Sequence, residues 1–124
     1  MSVLIDSGIL IEISRARDED ILKRWIELSE SEEQILYSPV SSAEVWAGAR
    51  PREHDATTNL LRTLTCAPAD CETGRLAGDY LRRYQKSHGL GLGDALIAAG
   101  AFLNRAALWT RNRKHYPMKE LSFF

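Results

Sequence analysis

The sequence predicts an α/β fold with a central, mainly parallel sheet of four to five strands flanked by helices. Short apolar runs alternate along the chain with longer stretches of helical periodicity, the signature of βαβ units. The first run, Val3-Leu4-Ile5, is apolar at consecutive positions, as a strand covered on both faces must be. It ends on a carboxylate, Asp6, which then stands at the carboxyl end of the strand. That is the edge where open α/β sheets place their chemistry.

The remaining elements come in order. Ile9, Leu10 and Ile13 fall at helical spacing and place a short helix behind the first strand. Asp18 caps a second helix, with Ile21, Leu22, Trp25, Ile26 and Leu28 as its apolar face. Ile35-Leu36-Tyr37-Ser38 is a second strand that stops at Pro39. A helix opens at Ser41-Ser42-Ala43-Glu44 and ends between Gly48 and Pro51. The next helix covers residues 55–64 and turns Leu60, Leu61 and Leu64 inward, and residues 64–68 form a short strand. Asp70 caps a long helix with Leu76, Ala77, Tyr80, Leu81 and Tyr84 on one face, and Gly89 supplies its left-handed stop. Residues 91–103 make a helix that is apolar almost all round and therefore central. Residues 107–110 are a buried strand, and residues 121–124 a last short one.

Composition bounds the function. At 124 residues, with no repeat and no low-complexity linker, the chain is a single domain over residues 1–124. A hydrophobic fraction of 44% and a charged fraction of 27% are those of a globular protein. A net charge of −1 excludes broad adhesion to nucleic acid but leaves room for an acidic pocket with a basic rim. Cys66 and Cys71 lack a second ligand pair for zinc and read as reduced, semi-buried thiols. No secretion signal and no apolar run of membrane-spanning length is visible, so the expected compartment is the cytoplasm.

Three acids stand where helices begin: Asp6, Glu44 and Asp94. Each has a structural explanation. Asp6 suits an N-cap, Ser41-x-x-Glu44 matches a capping box, and the helix dipole favours Asp94 by about 0.3–1 kcal/mol. Asp94 decides between the readings. It interrupts the most apolar helix in the chain, between Gly93 and Ala95-Leu96-Ile97-Ala98, where an ionised carboxylate is costly unless paired or metal-bound. A parallel sheet starts its following helices at one edge, which brings Asp6 and Glu44 together, and Asp94 joins them if its helix begins there too. Oxygen-only donors of this kind suit Mg²⁺ or Mn²⁺.

Val3-Leu4-Ile5-Asp6, Ser42-x-Glu44, Gly93-Asp94-Ala95-Leu96-Ile97-Ala98-Ala99 and Leu108-Trp109-Thr110-Arg111-Asn112 resemble, in order and spacing, the PIN-domain family. The pattern is closest to the VapC-type toxins of toxin–antitoxin pairs, and it covers the chain from Val3 to about Phe123. The resemblance implies a PIN-like three-layer fold with Asp6, Glu44 and Asp94 as metal ligands. It implies an endoribonuclease in which metal-activated water cuts RNA to 5′-phosphate and 3′-hydroxyl ends. It also implies an antitoxin partner, a homodimer, and a larger assembly with the antitoxin.

One position departs from the pattern. Many members carry a fourth acid where this chain has Asn112, whose amide can accept from a metal-bound water but adds no charge. Tight binding of a second metal is therefore in doubt, and Asn112 is equally suited to be a turn residue. Arg111, Arg113, Lys114 and His115 rim the expected pocket as phosphate contacts or form a solvated loop. Arg50 and Arg52 extend that rim or meet a partner, and Trp46 and Tyr116 are candidates to stack on unpaired bases. His54, His88 and His115 lie in three separate segments, which disfavours a metal-free, histidine-driven ribonuclease. Two other readings remain: a PIN-like scaffold that binds RNA or protein without cutting, favoured by Asn112, and a phospho-accepting domain. The second lacks both the paired acid and the later lysine it needs.

Overall fold

The computed structural model describes all 124 residues. A four-stranded sheet runs in the order β3-β2-β1-β4, with β1 at Ser2–Ile5, β2 at Gln34–Tyr37, β3 at Thr65–Cys66 and β4 at Ala106–Trp109. Every pairing is parallel, with Val3 lying between Ile35 and Ala107, and Ile5 between Tyr37 and Trp109.

The sheet is covered on both faces, which is why β1 is apolar at every position from Val3 to Ile5. Alternation along the strand sends Leu4 to one side and Val3 and Ile5 to the other. Leu4, Leu36 and Leu108 pack against α5 (Cys71–His88) and α6 (Leu92–Leu103) through Ala77, Tyr80, Ala95 and Ile97. On the opposite face Val3, Ile5 and Trp109 meet Ile9, Leu10 and Ile13 of α1 (Ser7–Arg15) and Leu28 of α2 (Glu19–Ser29). Val45 of α3 (Pro39–Gly48) and Leu61 of α4 (His54–Arg62) complete that layer. The result is the three-layer arrangement expected, with four strands. No helix is long and apolar enough to cross a membrane.

Several local expectations are corrected. The helix expected to open at Ser41 begins at Pro39. Ser38 is its N-cap, its hydroxyl accepting from the Val40 N–H at 3.1 Å, and the proline ring presets the first helical φ. Ser41 therefore lies inside the helix, fully buried, with no hydrogen-bond partner for its hydroxyl. The capping box does not form, and Glu44 is left without a capping role. Ile26 is 52% exposed instead of inward-facing, and Cys66 and Cys71 are exposed, not semi-buried. On α6, Leu92 and Phe102 also reach solvent. The expected final strand reduces to one bridge, Leu108 to Phe123.

Candidate active site

Parallel strands bring their carboxyl ends, and the residues just beyond, to one edge. Asp6 comes directly after β1, Ser38 after β2 and Thr110 after β4. Helix α6 precedes β4 and runs back along the sheet, so its first turn, carrying Asp94, starts at the same edge.

Asp6 has two tasks there. Its Oδ1 accepts from the Ser7 N–H at 2.7 Å and caps α1. Its Oδ2 accepts from the Thr110 hydroxyl at 2.9 Å and from the Tyr116 phenol at 3.1 Å. The backbone N–H of Asp6 also donates to the Trp109 carbonyl at 3.0 Å. The capping reading and the site reading are thus both true of one side chain, because a carboxylate has lone pairs enough for both.

The Tyr116 hydroxyl also lies 3.3 Å from Oδ1 of Asp94, so one phenol spans two acids from distant parts of the chain. Burial first, then the charge on Asp6, raises the Asp94 carboxyl above its ordinary value; Tyr116 and His115 oppose that rise. His115 Nδ1 stands 3.8 Å from Asp94 Oδ2. Glu44, on α3, is the most exposed of the three. Its carboxyl is raised by partial desolvation and by the charges of Asp6 and Asp94, against the lowering effect of the Ser7 hydroxyl. Tyr116 is pushed far up by burial and by the two acids it touches.

The three acids act on one another electrostatically, and no lysine or arginine is paired with any of them. They do not close into a ready-made cage of three ligating groups: Asp6 and Asp94 are bridged, and Glu44 faces them from α3. The donor set nevertheless fits a hard divalent cation. It is all oxygen, carries an uncompensated negative charge, and leaves coordination positions for water, as Mg²⁺ requires.

The basic residues divide. Thr110, Arg111, Asn112, Arg113, Lys114 and His115 line a cleft of about 470 Å³. Arg111 leans on Glu12, 3.5 Å away. Arg113 donates to the Phe124 carbonyl at 3.2 Å and lies over the Phe123 ring, so it is tethered to the C-terminus. The side chain of Asn112 is exposed, and its backbone N–H donates to the Thr110 hydroxyl at 3.1 Å. His54 packs edge-on against Trp46 and His88 against Tyr84, which leaves His115 as the one histidine beside the acids.

Tyr116 corrects one expectation. At 3% exposed it cannot stack on a base; its hydroxyl serves the carboxylates instead. Thr110 and Ser7 are further site residues to which sequence reasoning gave no role. Thr110 was legible as the first residue after a buried strand. Nothing in spacing alone could reveal that Tyr116 folds back on residue 6.

A family model for the PIN domain matches residues 3–121. Ribonuclease VapC10 of Mycobacterium tuberculosis is 37% identical over 119 residues, covering 95% of this chain and 88% of that protein. Ribonuclease VapC19 of the same organism is 34% identical over 116 residues, covering 93% and 92%. Among solved structures, VapBC2 from Rickettsia felis bound to a promoter DNA fragment superposes with a TM-score of 0.84 at 20% identity, covering 100% of this chain and 98% of that one. That last likeness concerns the fold.

Proposed function

This chain belongs to the PIN-domain family, and on that premise we propose that it is a Mg²⁺- or Mn²⁺-dependent endoribonuclease, the toxin of a type II toxin–antitoxin pair. One observation carries the reading: Asp6 and Asp94, from opposite ends of the chain, share the Tyr116 hydroxyl at 3.1 and 3.3 Å with no basic counter-ion. A purely structural site would pair such charges, since uncompensated burial is costly.

Asp6, Glu44 and Asp94 would hold the ion. When bound, it lowers the pKa of a water molecule and offsets charge developing on the phosphate oxygens. Thr110 and Tyr116 fix the Asp6 carboxylate by donating to Oδ2, so its geometry is set before substrate arrives. Arg111, Lys114 and His115 draw in the RNA backbone. Water attacks phosphorus in line and the 3′ oxygen leaves, giving 5′-phosphate and 3′-hydroxyl ends. With Asn112 in place of a fourth acid, one ion binds tightly and a second arrives with substrate. The relatives named as ribonucleases support the substrate class, and VapBC assemblies support an antitoxin partner. A homodimer and a cytoplasmic location complete the proposal.

The test is incubation of the purified, antitoxin-free protein with a mixed RNA pool in Mg²⁺, Mn²⁺ or chelator, followed by end-group analysis. Cleavage that needs the ion and leaves 5′-phosphates is expected. Chelator-resistant cleavage with 2′,3′-cyclic ends, or no cleavage of any RNA, would overturn it.

A further inference from the structure

We infer that a pocket of arginines beside the carboxylate edge seats a second backbone phosphate of the substrate RNA, away from the bond that is cut. This deepens the nuclease reading and rests on it. Arg15, Arg17, Arg50 and Arg52 surround a cavity of about 370 Å³ together with Ser14 and Glu53. A quarter of the chain's 16 basic residues thus meets at one place in a protein of net charge −1.

The single acid lining the cavity is already engaged. Oε1 of Glu53 accepts from the Arg50 backbone N–H at 3.0 Å, closing the short 3-10 turn at Pro51–Glu53. Its Oε2 accepts from Nε of Arg15 at 3.0 Å. Arg17 has only a long contact to Glu12, at 3.9 Å, and neither Arg50 nor Arg52 takes part in a salt bridge. The recess therefore presents guanidinium forks without a counter-anion, a geometry that matches phosphate oxygens.

Its position names the anion. Helix α1 begins at Asp6, its cap, and ends at Arg15; nine residues at helical rise put the pocket about 13 Å from the carboxylate edge. Helix α3 carries Glu44 and then Trp46, and leads directly to Arg50. One oxygen of Glu12 lies 3.5 Å from Arg111 and 3.9 Å from Arg17, which joins the pocket to the cleft beside Asp94. Between them Trp46 is 37% exposed and offers a face to an unpaired base. A strand seated at the carboxylates reaches the pocket after a few nucleotides, at about 3.4 Å or more per step.

The experiment uses an Asp94→Asn background in Mg²⁺, to suppress cleavage, with fluorescence anisotropy of a labelled oligouridylate of ~15 nucleotides and of a trinucleotide. Arg50→Gln/Arg52→Gln should weaken binding of the longer RNA by about tenfold and flatten its log–log salt dependence by roughly 1.4, at about 0.7 per lost phosphate contact. Binding of the trinucleotide should not change, and Lys86→Gln, on α5 across the sheet, should alter neither. An unchanged salt slope, or an equal loss on both RNAs, overturns the pocket while leaving the nuclease intact. So does a variant that binds RNA normally but loses affinity for an acidic peptide. If the parent protein binds neither RNA, both readings fall. Unchanged melting temperatures would confirm that the variants are folded.

Discussion

The phenol of Tyr116 donates to Oδ2 of Asp6 across 3.1 Å, which ties a residue in the C-terminal loop to the residue that ends the first strand. With one proton to give, Tyr116 serves one carboxylate fully, and Asp6 is the nearer of its two acids. Tyr116→Phe keeps the buried ring and removes the donor. In chelator it should lower stability by about 1 kcal/mol, the net value of a hydrogen bond to a partly buried group, read as a shifted urea midpoint at unchanged m-value. An unaltered midpoint would mean that the contact contributes nothing in solution.

The raised carboxyls predict a pH dependence of definite sign. Asp94 and Glu44 both sit above their ordinary values, so without metal the folded protein retains those protons to higher pH than the unfolded chain. Their contribution to stability falls as pH climbs from about 4 through the raised folded values, and the penalty stays in place above them. Asp94→Asn removes part of that penalty. In chelator at neutral pH it should be at least as stable as the parent, and the difference should vanish near pH ~3, where both forms are neutral. Mg²⁺ at about 100 times its Kd should stabilise the parent by about 2.7 kcal/mol and the variant much less. A variant that melts lower in chelator would show Asp94 to be structural.

The same substitution, and Glu44→Gln, should reduce RNA cleavage by about 10²-fold or more, because each removes charge that holds the ion. Both are read in single-turnover assays with saturating Mg²⁺. Cleavage within a few-fold of the parent would remove either residue from the metal site.

Asn112 offers a gain-of-charge test. Its side chain is exposed beside Thr110 and its backbone N–H carries the local hydrogen bond, so Asn112→Asp should fold normally. A fourth acid should cut the Mg²⁺ concentration for half-maximal cleavage by roughly 10-fold. An unchanged Mg²⁺ titration would place residue 112 outside the metal's reach.

The start of α3 separates two serines. Ser38 caps the helix, whereas the Ser41 hydroxyl is buried without a partner. Ser38→Ala should cost about 1 kcal/mol, while Ser41→Ala should be neutral or stabilising, since it removes a desolvated and unsatisfied group. Urea denaturation of the two variants reads this directly; equal losses would restore Ser41 as the cap.

Much of this was legible in the chain. Consecutive apolar residues ending at Asp6 identified a strand covered on both faces, and Asp18, Asp70 and Gly89 marked helix ends that the structure places where expected. These signals are local, set by backbone hydrogen bonding and side-chain periodicity within a few residues. The misread start of α3 was a local contest as well: Ser38-Pro39 and Ser41-x-x-Glu44 are both valid openings. Packing chose the earlier one, burying Val45 against the sheet and leaving Ser41 inside.

Left to itself, the sequence determined the element types, the parallel order and the three acids at helix starts, because each depends on near neighbours. Only the tertiary structure decided that Tyr116 turns inward to bridge Asp6 and Asp94, that Thr110 fixes the first acid, and that Arg111 and Arg17 meet at Glu12. Those contacts join residues that are close only once the chain has folded, so no periodicity encodes them. They arise from which strand edges and loops the packed core brings together.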